Sequence, residues 1–202
     1  MTALVRLLRE TRGASAAEFA MVLPLLILFL LGIIDVGRFM WEYNRAEKAT
    51  QMGVRYAVVT ELVPDGMEDY SFAISGGILA GTAVPTSSFD RAICNQTNCD
   101  DCTPSGGFCS VVGHDSVAFG KIVDWMNNHY RPITPANVEI EYRNVGLGYA
   151  GDPSGADVAP LVTVSLKDLQ FNPLVLFGYV SFTMPDFRAA LTLEDGADDV
   201  SN

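Results

Sequence analysis

Basic residues are scarce in this sequence, with 13 Lys and Arg against 24 Asp and Glu and a formal net charge of −11. DNA and RNA are bound largely through Lys and Arg side chains that contact phosphates, so this balance argues against a nucleic-acid partner. Histidine is rarer still, with two residues, and no Gly-x-Ser-x-Gly, phosphate-binding glycine loop or His-Glu-x-x-His motif occurs. We therefore expect no catalytic residues, no enzyme activity, no metal and no cofactor.

Charged residues are also missing from residues 19–34, directly after Glu18. A helix needs about 20 apolar residues to cross the hydrocarbon of a bilayer. The small residues before this run and the interfacial anchor Trp41 after it make the segment long enough. We expect a membrane span over about residues 17–41, within one continuous helix over residues 14–59. Pro24 should kink or loosen that helix, and Asp35 and Arg38 lie at i,i+3 and can pair.

The few basic residues near the start of the chain set the expected orientation. Residues 1–13 carry Arg6, Arg9 and Arg12 against Glu10, a net charge of 3 − 1 = +2. Basic residues beside a first apolar segment stay on the cytoplasmic side. We expect a single-pass protein of the inner (cytoplasmic) membrane, with residues from about 40 onward outside. An ordinary signal peptide is the alternative, but residues 33–41 offer no small-residue cleavage site of the Ala-x-Ala kind.

Glu18 is costly where it stands, because an ionised carboxylate at the edge of hydrocarbon needs a partner. The residues around it read Arg12-Gly13-Ala14-Ser15-Ala16-Ala17-Glu18-Phe19. Cleavage after Gly13 would create an α-ammonium at Ala14, and the ammonium of a neighbouring subunit could then pair with Glu18.

This arrangement resembles the prepilin processing site of type IV pilins. Residues 13–57 are similar to the TadE-like family of minor pilins from tight-adherence (Tad, Flp-type) pilus systems. They carry, in order, a Gly, four small residues, Glu-Phe, an apolar run with a Pro, the exit Gly-Ile-Ile-Asp-Val-Gly-Arg and an amphipathic helix that ends in Arg-Tyr-Ala.

The resemblance implies a prepilin leader over residues 1–13, with Gly13, Ala14, Glu18 and Phe19 as the processing site. It also implies the partners: a prepilin peptidase, other TadE-like minor pilins and the major pilin, a membrane assembly platform with an ATPase that acts indirectly, and the lipid bilayer.

Residues 60–194 are expected to form an extracytoplasmic α+β domain that is pilin-like, with a further helix and an antiparallel sheet. Asp115 or Ser116 should cap the helix, which should bury Ala118, Ile122, Trp125 and His129 on one face and end before Pro132. Alternation predicts strands over residues 138–142 and 162–166, and a last strand or two broken near Pro185. Residues 146–160 read as a flexible connection, and residues 195–202 as an acidic tail.

All four cysteines fall in one cystine-rich loop, residues 94–109, at Cys94, Cys99, Cys102 and Cys109. Two disulfides or a zinc site can explain them, because Cys-x-x-Cys is also a zinc element. An extracytoplasmic location and the lack of a histidine within the cluster favour disulfides. Four cysteines allow three pairings, and the sequence leaves the pairing open.

Other candidate residues have ordinary structural explanations. Asp100 and Asp101 do not have the spacing of an EF-hand calcium loop, so they are expected to be solvated. His114 follows a glycine in a loop, and His129 stands at a helix end where the helix dipole favours it. Phe119, Trp125 and Tyr142 fall at core spacing and are expected to pack.

The leading functional reading is structural: a minor pilin or pseudopilin that primes, caps or supports assembly of a Tad pilus for surface adhesion. The alternative is a membrane-tethered extracytoplasmic adhesin or ligand-binding module. A tethered enzyme ranks third, because no catalytic constellation supports it.

Overall fold

The computed structural model describes residues 14–153, 155–173 and 181–194, with side chains from Ala16 onward. The described residues group into two units, which are treated separately below. The first unit contains the N-terminal helix as far as Trp41, together with the segment Phe171–Phe182. The second contains Glu42–Gln170 and the residues from Thr183 onward. The architecture is α+β, as predicted: a long apolar helix followed by a small domain with another helix and a five-stranded antiparallel sheet.

The N-terminal helix, α1, extends over Ala14–Ala57 without interruption and includes Pro24. Its 44 residues span about 66 Å at 1.5 Å per residue. In the second unit, α1 buries one face, formed by Ala46, Ala49, Thr50 and Val54. The hydroxyl of Thr50 donates to the carbonyl of Ala46 at 3.0 Å, so this buried polar group is paired. In the first unit, Met40 is exposed.

Five strands form the main sheet: β1 (Arg91–Cys94), β2 (Asp101–Thr103), β3 (Val138–Arg143), β4 (Leu161–Leu166) and β7 (Phe187–Thr192). Their order is β2-β1-β3-β4-β7, and every neighbouring pair is antiparallel. The two strands predicted over residues 138–142 and 162–166 are confirmed as β3 and β4. Residues of β3 alternate between buried and partly exposed, because successive side chains point to opposite faces of a sheet. A separate two-stranded sheet pairs β5 (Gln170–Phe171) with β6 (Phe182–Thr183).

The second helix, α2, extends over Ser116–Asn127. Asp115 is its N-cap: one carboxylate oxygen accepts from the backbone N–H of Val117 at 2.7 Å and of Ala118 at 3.0 Å. The helix buries Ala118, Phe119, Ile122, Val123 and Met126, so Ala118 and Ile122 of the predicted face are confirmed, whereas His129 is only partly buried. Trp125 is 39% exposed, so its expected place in the core was wrong. The indole instead stacks on Tyr56 of α1, with ring centroids 5.2 Å apart.

Gly53 brings the two helices of the second unit close together. A Cβ built on Gly53 would lie 2.7 Å from both Cγ and Sδ of Met126, closer than real Cβ contacts come. Gly53 and Met126 are both buried. The absence of a side chain at Gly53 therefore allows Met126 of α2 to pack directly on the backbone of α1.

The beginning and the end of the second unit meet. The ring of Tyr43 on α1 packs edge-on against Phe187 of β7, with centroids 4.8 Å apart. After β7, the N–H of Glu194 donates to the carbonyl of Val58, just past the end of α1, at 3.1 Å. The last strand of the sheet thus closes the domain against its first helix.

The connection before β4 is hydrogen-bonded to the segment before β1, whereas the sequence suggested a flexible linker. Asp157 is buried and accepts from the N–H of Phe72 at 2.6 Å and of Asp152 at 3.0 Å. The N–H of Ala150 donates to Thr82 at 2.8 Å, and its carbonyl accepts from Gly81 at 2.8 Å. These bonds hold the glycine-rich connection against the domain.

Candidate functional site

The membrane-spanning candidate is the part of α1 in the first unit, and its apolar side chains are exposed on all sides. The four consecutive residues Leu25, Leu26, Ile27 and Leu28 are 73%, 50%, 44% and 57% exposed. Successive residues of an α-helix point about 100° apart, so four in a row cover most of its circumference. The most apolar part of this helix has a mean hydropathy of 2.7 and is 6% buried. A helix that is hydrophobic all round needs lipid or other helices around it.

Glu18 and Phe19 mark the N-terminal end of this surface, and both side chains are exposed. The predicted site also includes Ala14, the first residue of α1, and Gly13, which lies outside the described residues. Seventeen residues separate Glu18 from Asp35, or about 26 Å along a helix axis. That distance is close to the hydrocarbon thickness of a bilayer, about 30 Å. The two carboxylates therefore bracket an apolar stretch of membrane length.

Asp35 and Arg38 mark the other end of the apolar stretch. They form the predicted i,i+3 ion pair, with Nη1 of Arg38 at 3.8 Å from Oδ1 of Asp35. Asp35 is buried in spite of its charge. The guanidinium of Arg38 lies over the ring of Phe171, 5.6 Å from its centroid, and Phe39 packs edge-on against the same ring at 5.3 Å. Phe171 thus contacts α1 where the helix leaves its apolar stretch.

In the second unit, polar side chains on the next turns of α1 form hydrogen bonds with the residues that directly follow α2. Nε and Nη2 of Arg45 donate to the carbonyl of His129 at 3.1 and 2.8 Å. The hydroxyl of Tyr130 donates to the carboxylate of Glu42 at 3.3 Å. Burial, and next the negative charge of Glu42, raise the pKa of Tyr130 to about 12. Tyr130 therefore stays a hydrogen-bond donor throughout the physiological pH range.

The histidines and Tyr142 have the structural surroundings that the sequence suggested. The Nε2 atom of His114 lies 2.9 Å from the carbonyl of Asn95, and Nδ1 of His129 lies 3.1 Å from the carbonyl of Trp125. The hydroxyl of Tyr142 accepts from the N–H of Val63 at 3.2 Å, and burial raises the pKa of this tyrosine. These contacts account for the polar atoms without a catalytic role.

The four cysteines form two disulfides, Cys94–Cys99 and Cys102–Cys109. Cys94 ends β1 and Cys102 lies in β2, so the two bridges reinforce one edge of the main sheet. The sulfurs are thus bonded to each other and unavailable as zinc-binding thiolates. In the part of the chain that the structure describes, no three His, Cys, Asp or Glu side chains cluster as metal ligands. The carboxylate of Asp101 lies 3.7 Å from Nη2 of Arg91.

A cleft beside the second disulfide escaped the sequence analysis. Its volume is about 330 Å³, and its lining includes Tyr70, Ser75, Ser87, Ser88 and Phe108. The aromatic rings of Tyr70 and Phe108 pack edge-on with centroids 5.4 Å apart. The residues come from three separate stretches of a glycine- and serine-rich region, so only the folded chain brings them together. None of the described residues that line this cleft is charged.

The comparisons with known proteins bear on the N-terminal helix. A family model described as TadE-like protein matches residues 13–55, which cover α1 almost to its end. The search of curated proteins and the search of solved structures found no match to this chain. The TadE-like family is structural and non-enzymatic, and its members are associated with Tad pili and with the membrane. The N-terminal helix of this chain is therefore similar to that of TadE-like proteins, and this similarity indicates involvement in a Tad pilus.

Proposed function

We propose that this protein is a membrane-anchored minor pilin, or pseudopilin, that primes, caps or supports the assembly of a Tad pilus. One observation carries the proposal: the family match over residues 13–55 coincides with a helix whose apolar side chains are exposed on all sides. A helix with such a surface is stable in lipid before assembly and among other apolar helices after it. A subunit that moves from membrane to filament needs both environments.

The proposed orientation has the N-terminus in the cytoplasm and the second unit outside. Its support is the net charge of +2 over residues 1–13, directly before the apolar run. Two disulfides agree with this orientation, because they form and persist in oxidising compartments. We infer that the protein is a single-pass protein of the inner membrane until it is assembled.

Processing is proposed between Gly13 and Ala14, by a prepilin peptidase. The cut would remove residues 1–13 and change the formal net charge from −11 to −13. It would also place a free α-ammonium four residues before Glu18. Intact mass spectrometry of the membrane-extracted protein tests this step. Loss of residues 1–13 is expected, and a full-length protein or a cut beyond Ile34 would contradict it.

Glu18 is proposed to set the register of the helices in the assembly. Its exposed carboxylate stands at the start of a surface of membrane length, where an unpaired charge is costly. Pairing with the α-ammonium of a neighbouring subunit removes that cost only in the correct packing. Glu18 therefore favours assembly over the isolated state, and it selects against wrong registers.

A charge-neutral variant separates this role from simple membrane insertion. Glu18→Gln keeps the size of the side chain and removes its charge, so insertion should be unchanged or easier while pilus assembly is lost. Glu47→Gln is the matched control, because Glu47 is an exposed glutamate on the outer half of the same helix. Membrane fractionation and a count of pili per cell are the readouts. Normal piliation with Glu18→Gln would remove Glu18 from the mechanism.

The protein is proposed to act in few copies. The chain continues for about 140 residues beyond its N-terminal helix, and close helical stacking of many copies would make domains of that size clash. The acidic composition adds repulsion between like copies, which salt screens beyond about 8–10 Å. Quantitative proteomics of sheared pili should find this chain well below the major pilin. Parity with the major pilin would refute the minor role.

The cleft beside the second disulfide favours one alternative function, a membrane-tethered adhesin or ligand-binding module. The cleft places an aromatic ring next to several hydroxyl groups, and its described lining is uncharged although the chain as a whole is acidic. Such a lining suits a small neutral ligand. The discriminating experiment displays the full chain in cells that lack the other pilus genes. Surface adhesion in those cells would favour the adhesin, whereas adhesion only together with pili would favour the pilus subunit.

A further inference from the structure

Packed aromatic rings support the cleft beside the second disulfide. Phe72, Phe89 and Phe108 are each at most 2% exposed. The ring of Tyr70 packs edge-on against Phe72, with centroids 4.7 Å apart, and against Phe108, with centroids 5.4 Å apart. Tyr70 itself is only partly buried and lines the cleft. Its ring is therefore held in place by buried neighbours while part of its surface stays open to a ligand.

Serine hydroxyls line the same cleft, at Ser75, Ser87, Ser88 and Ser105. Ser88 is partly exposed and the other three are exposed. Within the described part of the chain, these four hydroxyls and that of Tyr70 make no hydrogen bond to another protein group. A hydroxyl can donate one hydrogen bond and accept two. The cleft therefore presents several neutral donors and acceptors that a ligand can use without breaking bonds inside the protein.

The second disulfide closes one side of the cleft. The bridge Cys102–Cys109 encloses residues 103–108, and all of residues 104–108 line the cleft. Gly107 has a φ of 55°, and a Cβ built on it would lie 3.7 Å from the hydroxyl of Tyr70. The absence of a side chain there leaves this hydroxyl accessible. Because a short bridged loop has little freedom to lose, binding at this wall costs little ordering.

We propose that this cleft binds a neutral sugar. The inference rests on the alternative function proposed above, ligand binding at this cleft, and it names the class of ligand. A pyranose ring carries C–H groups that stack on an aromatic face, and hydroxyls around its edge that pair with other hydroxyls. An ionised ligand would find no opposite charge among the described lining residues, so its charge would lose water without gaining a partner. The volume of about 330 Å³ is that of a small-molecule site.

Saturation-transfer NMR of the full chain in phosphatidylcholine nanodiscs tests the proposal, since nanodiscs avoid sugar-headed detergents that would compete for the cleft. The probes are the methyl glycosides of glucose, galactose, mannose and N-acetylglucosamine. Methyl glucuronide is the charged control, and benzyl alcohol is a neutral aromatic control that is not a sugar. At least one neutral glycoside should bind. Methyl glucuronide should bind at least about tenfold more weakly, because its carboxylate would be left unpaired.

Substitutions in the cleft show whether the glycoside binds there. Tyr70→Ala should weaken binding by about tenfold or more, whereas Tyr70→Phe keeps the ring and should retain most of the affinity. The double variant Ser87→Ala, Ser88→Ala removes two hydroxyls without altering the packed rings, and it should also weaken binding. Tyr149→Ala is the matched control, because Tyr149 is 41% exposed and is not among the residues that line the cleft. It should leave the affinity unchanged.

The possible failures are distinguishable. If benzyl alcohol binds and Tyr70→Ala abolishes its binding, but no neutral glycoside binds, the cleft is a ligand site and the sugar class is refuted. Methyl glucuronide that binds as tightly as the neutral glycosides would also refute the sugar class proposed here. If no probe binds, or if binding persists in both Tyr70→Ala and the double serine variant, ligand binding at the cleft is wrong as well. The pilus role rests on α1 and is tested separately by Glu18→Gln.

Discussion

Gly53→Ala is the change that best tests how α1 packs on the rest of the second unit. Two effects oppose each other in this variant. Alanine in a helix interior is favoured over glycine by about 1 kcal/mol. The new methyl group, however, would meet Cγ and Sδ of buried Met126 at 2.7 Å, so Met126 or the helices must move. Overpacking of a filled core costs about 1–3 kcal/mol. We therefore expect a net loss of about 1 kcal/mol of unfolding free energy.

The matched control is Gly120→Ala on α2. A Cβ at Gly120 has no neighbour within 4 Å among the described atoms, so only the gain in helix propensity remains. Gly120→Ala should be stabilising by about 1 kcal/mol. Thermal unfolding of the full chain in detergent, followed by circular dichroism, should move the two midpoints in opposite directions. The expected shifts are about 3 °C for each kcal/mol in a domain of this size.

A double-mutant cycle of Gly53→Ala with Met126→Ala is the decisive test of this contact. Met126→Ala alone should cost about 2–5 kcal/mol, because it empties a fully buried site. In that background the alanine at position 53 has room, so Gly53→Ala should become stabilising, as Gly120→Ala is. A contact pair of this kind should show a coupling energy of about 0.5–3 kcal/mol. Equal effects of Gly53→Ala with and without Met126 would refute direct packing of Met126 on the backbone of α1.

Three further predictions concern the second unit. Asp115→Ala should cost about 1 kcal/mol of unfolding free energy because two N–H groups at the start of α2 lose their acceptor. Asp115→Asn should recover most of that loss in the same thermal assay. Equal unfolding midpoints for Asp115→Asn and Asp115→Ala would contradict the capping role. Because its pKa is raised from 10 to about 12, Tyr130 binds its proton more tightly in the folded state, so this group's contribution to stability is complete below pH 10 and is lost as pH rises through about 12. Ultraviolet titration should find Tyr130 and Tyr142 among the tyrosines that ionise late, and Glu42→Gln should make Tyr130 ionise earlier while Tyr142 is unchanged. Replacement of Cys102 and Cys109 by serine should lower the unfolding free energy by about 2 kcal/mol, since the bridge closes a short loop of sequence separation 7. If non-reducing peptide mapping finds free thiols in the native protein, both the bridge and the proposed extracytoplasmic location are wrong.

The long, strongly periodic parts of the fold were predictable from sequence. The charge-free run after Glu18 indicated the helix, and the alternation over residues 138–142 and 162–166 identified β3 and β4, because each pattern repeats over several residues. Strands β1 and β2 were missed. They are four and three residues long and lie in a region rich in Gly, Ser and Thr, so their signal is too short to separate from a loop.

Two other differences have a physical cause outside local sequence. Trp125 falls at core spacing, but the contact of α2 with α1 determines which face of α2 is buried. In that contact Met126 packs on Gly53, and the larger indole of Trp125 lies at the edge, stacked on Tyr56. The connection over residues 146–160 has the composition of a flexible linker. Buried Asp157 fixes it through two backbone N–H groups, and a long-range hydrogen bond of this kind has no sequence pattern.

The cleft beside the second disulfide could not be predicted for the same reason. Tyr70, Ser87 and Phe108 are far apart in sequence, and each is unremarkable in its own segment. The pairing of the cysteines was likewise open, because the spacing of four cysteines allows three arrangements. The folded chain determines both features through the turn that connects β1 to β2 and the short 3₁₀ turn Gly107–Ser110.

The closure of the last strand on the first helix has a consequence for how the domain is made. Tyr43 meets Phe187, and Val58 meets Glu194, so contacts that complete the domain join residues about 140 positions apart. Because a chain is synthesised from its N-terminus, α1 is exposed long before β7 is available to cover it. The face of α1 that β7 covers therefore stays exposed until nearly all residues of the domain have been synthesised. Completion of the last strand is thus the step that ends the exposure of this face of α1.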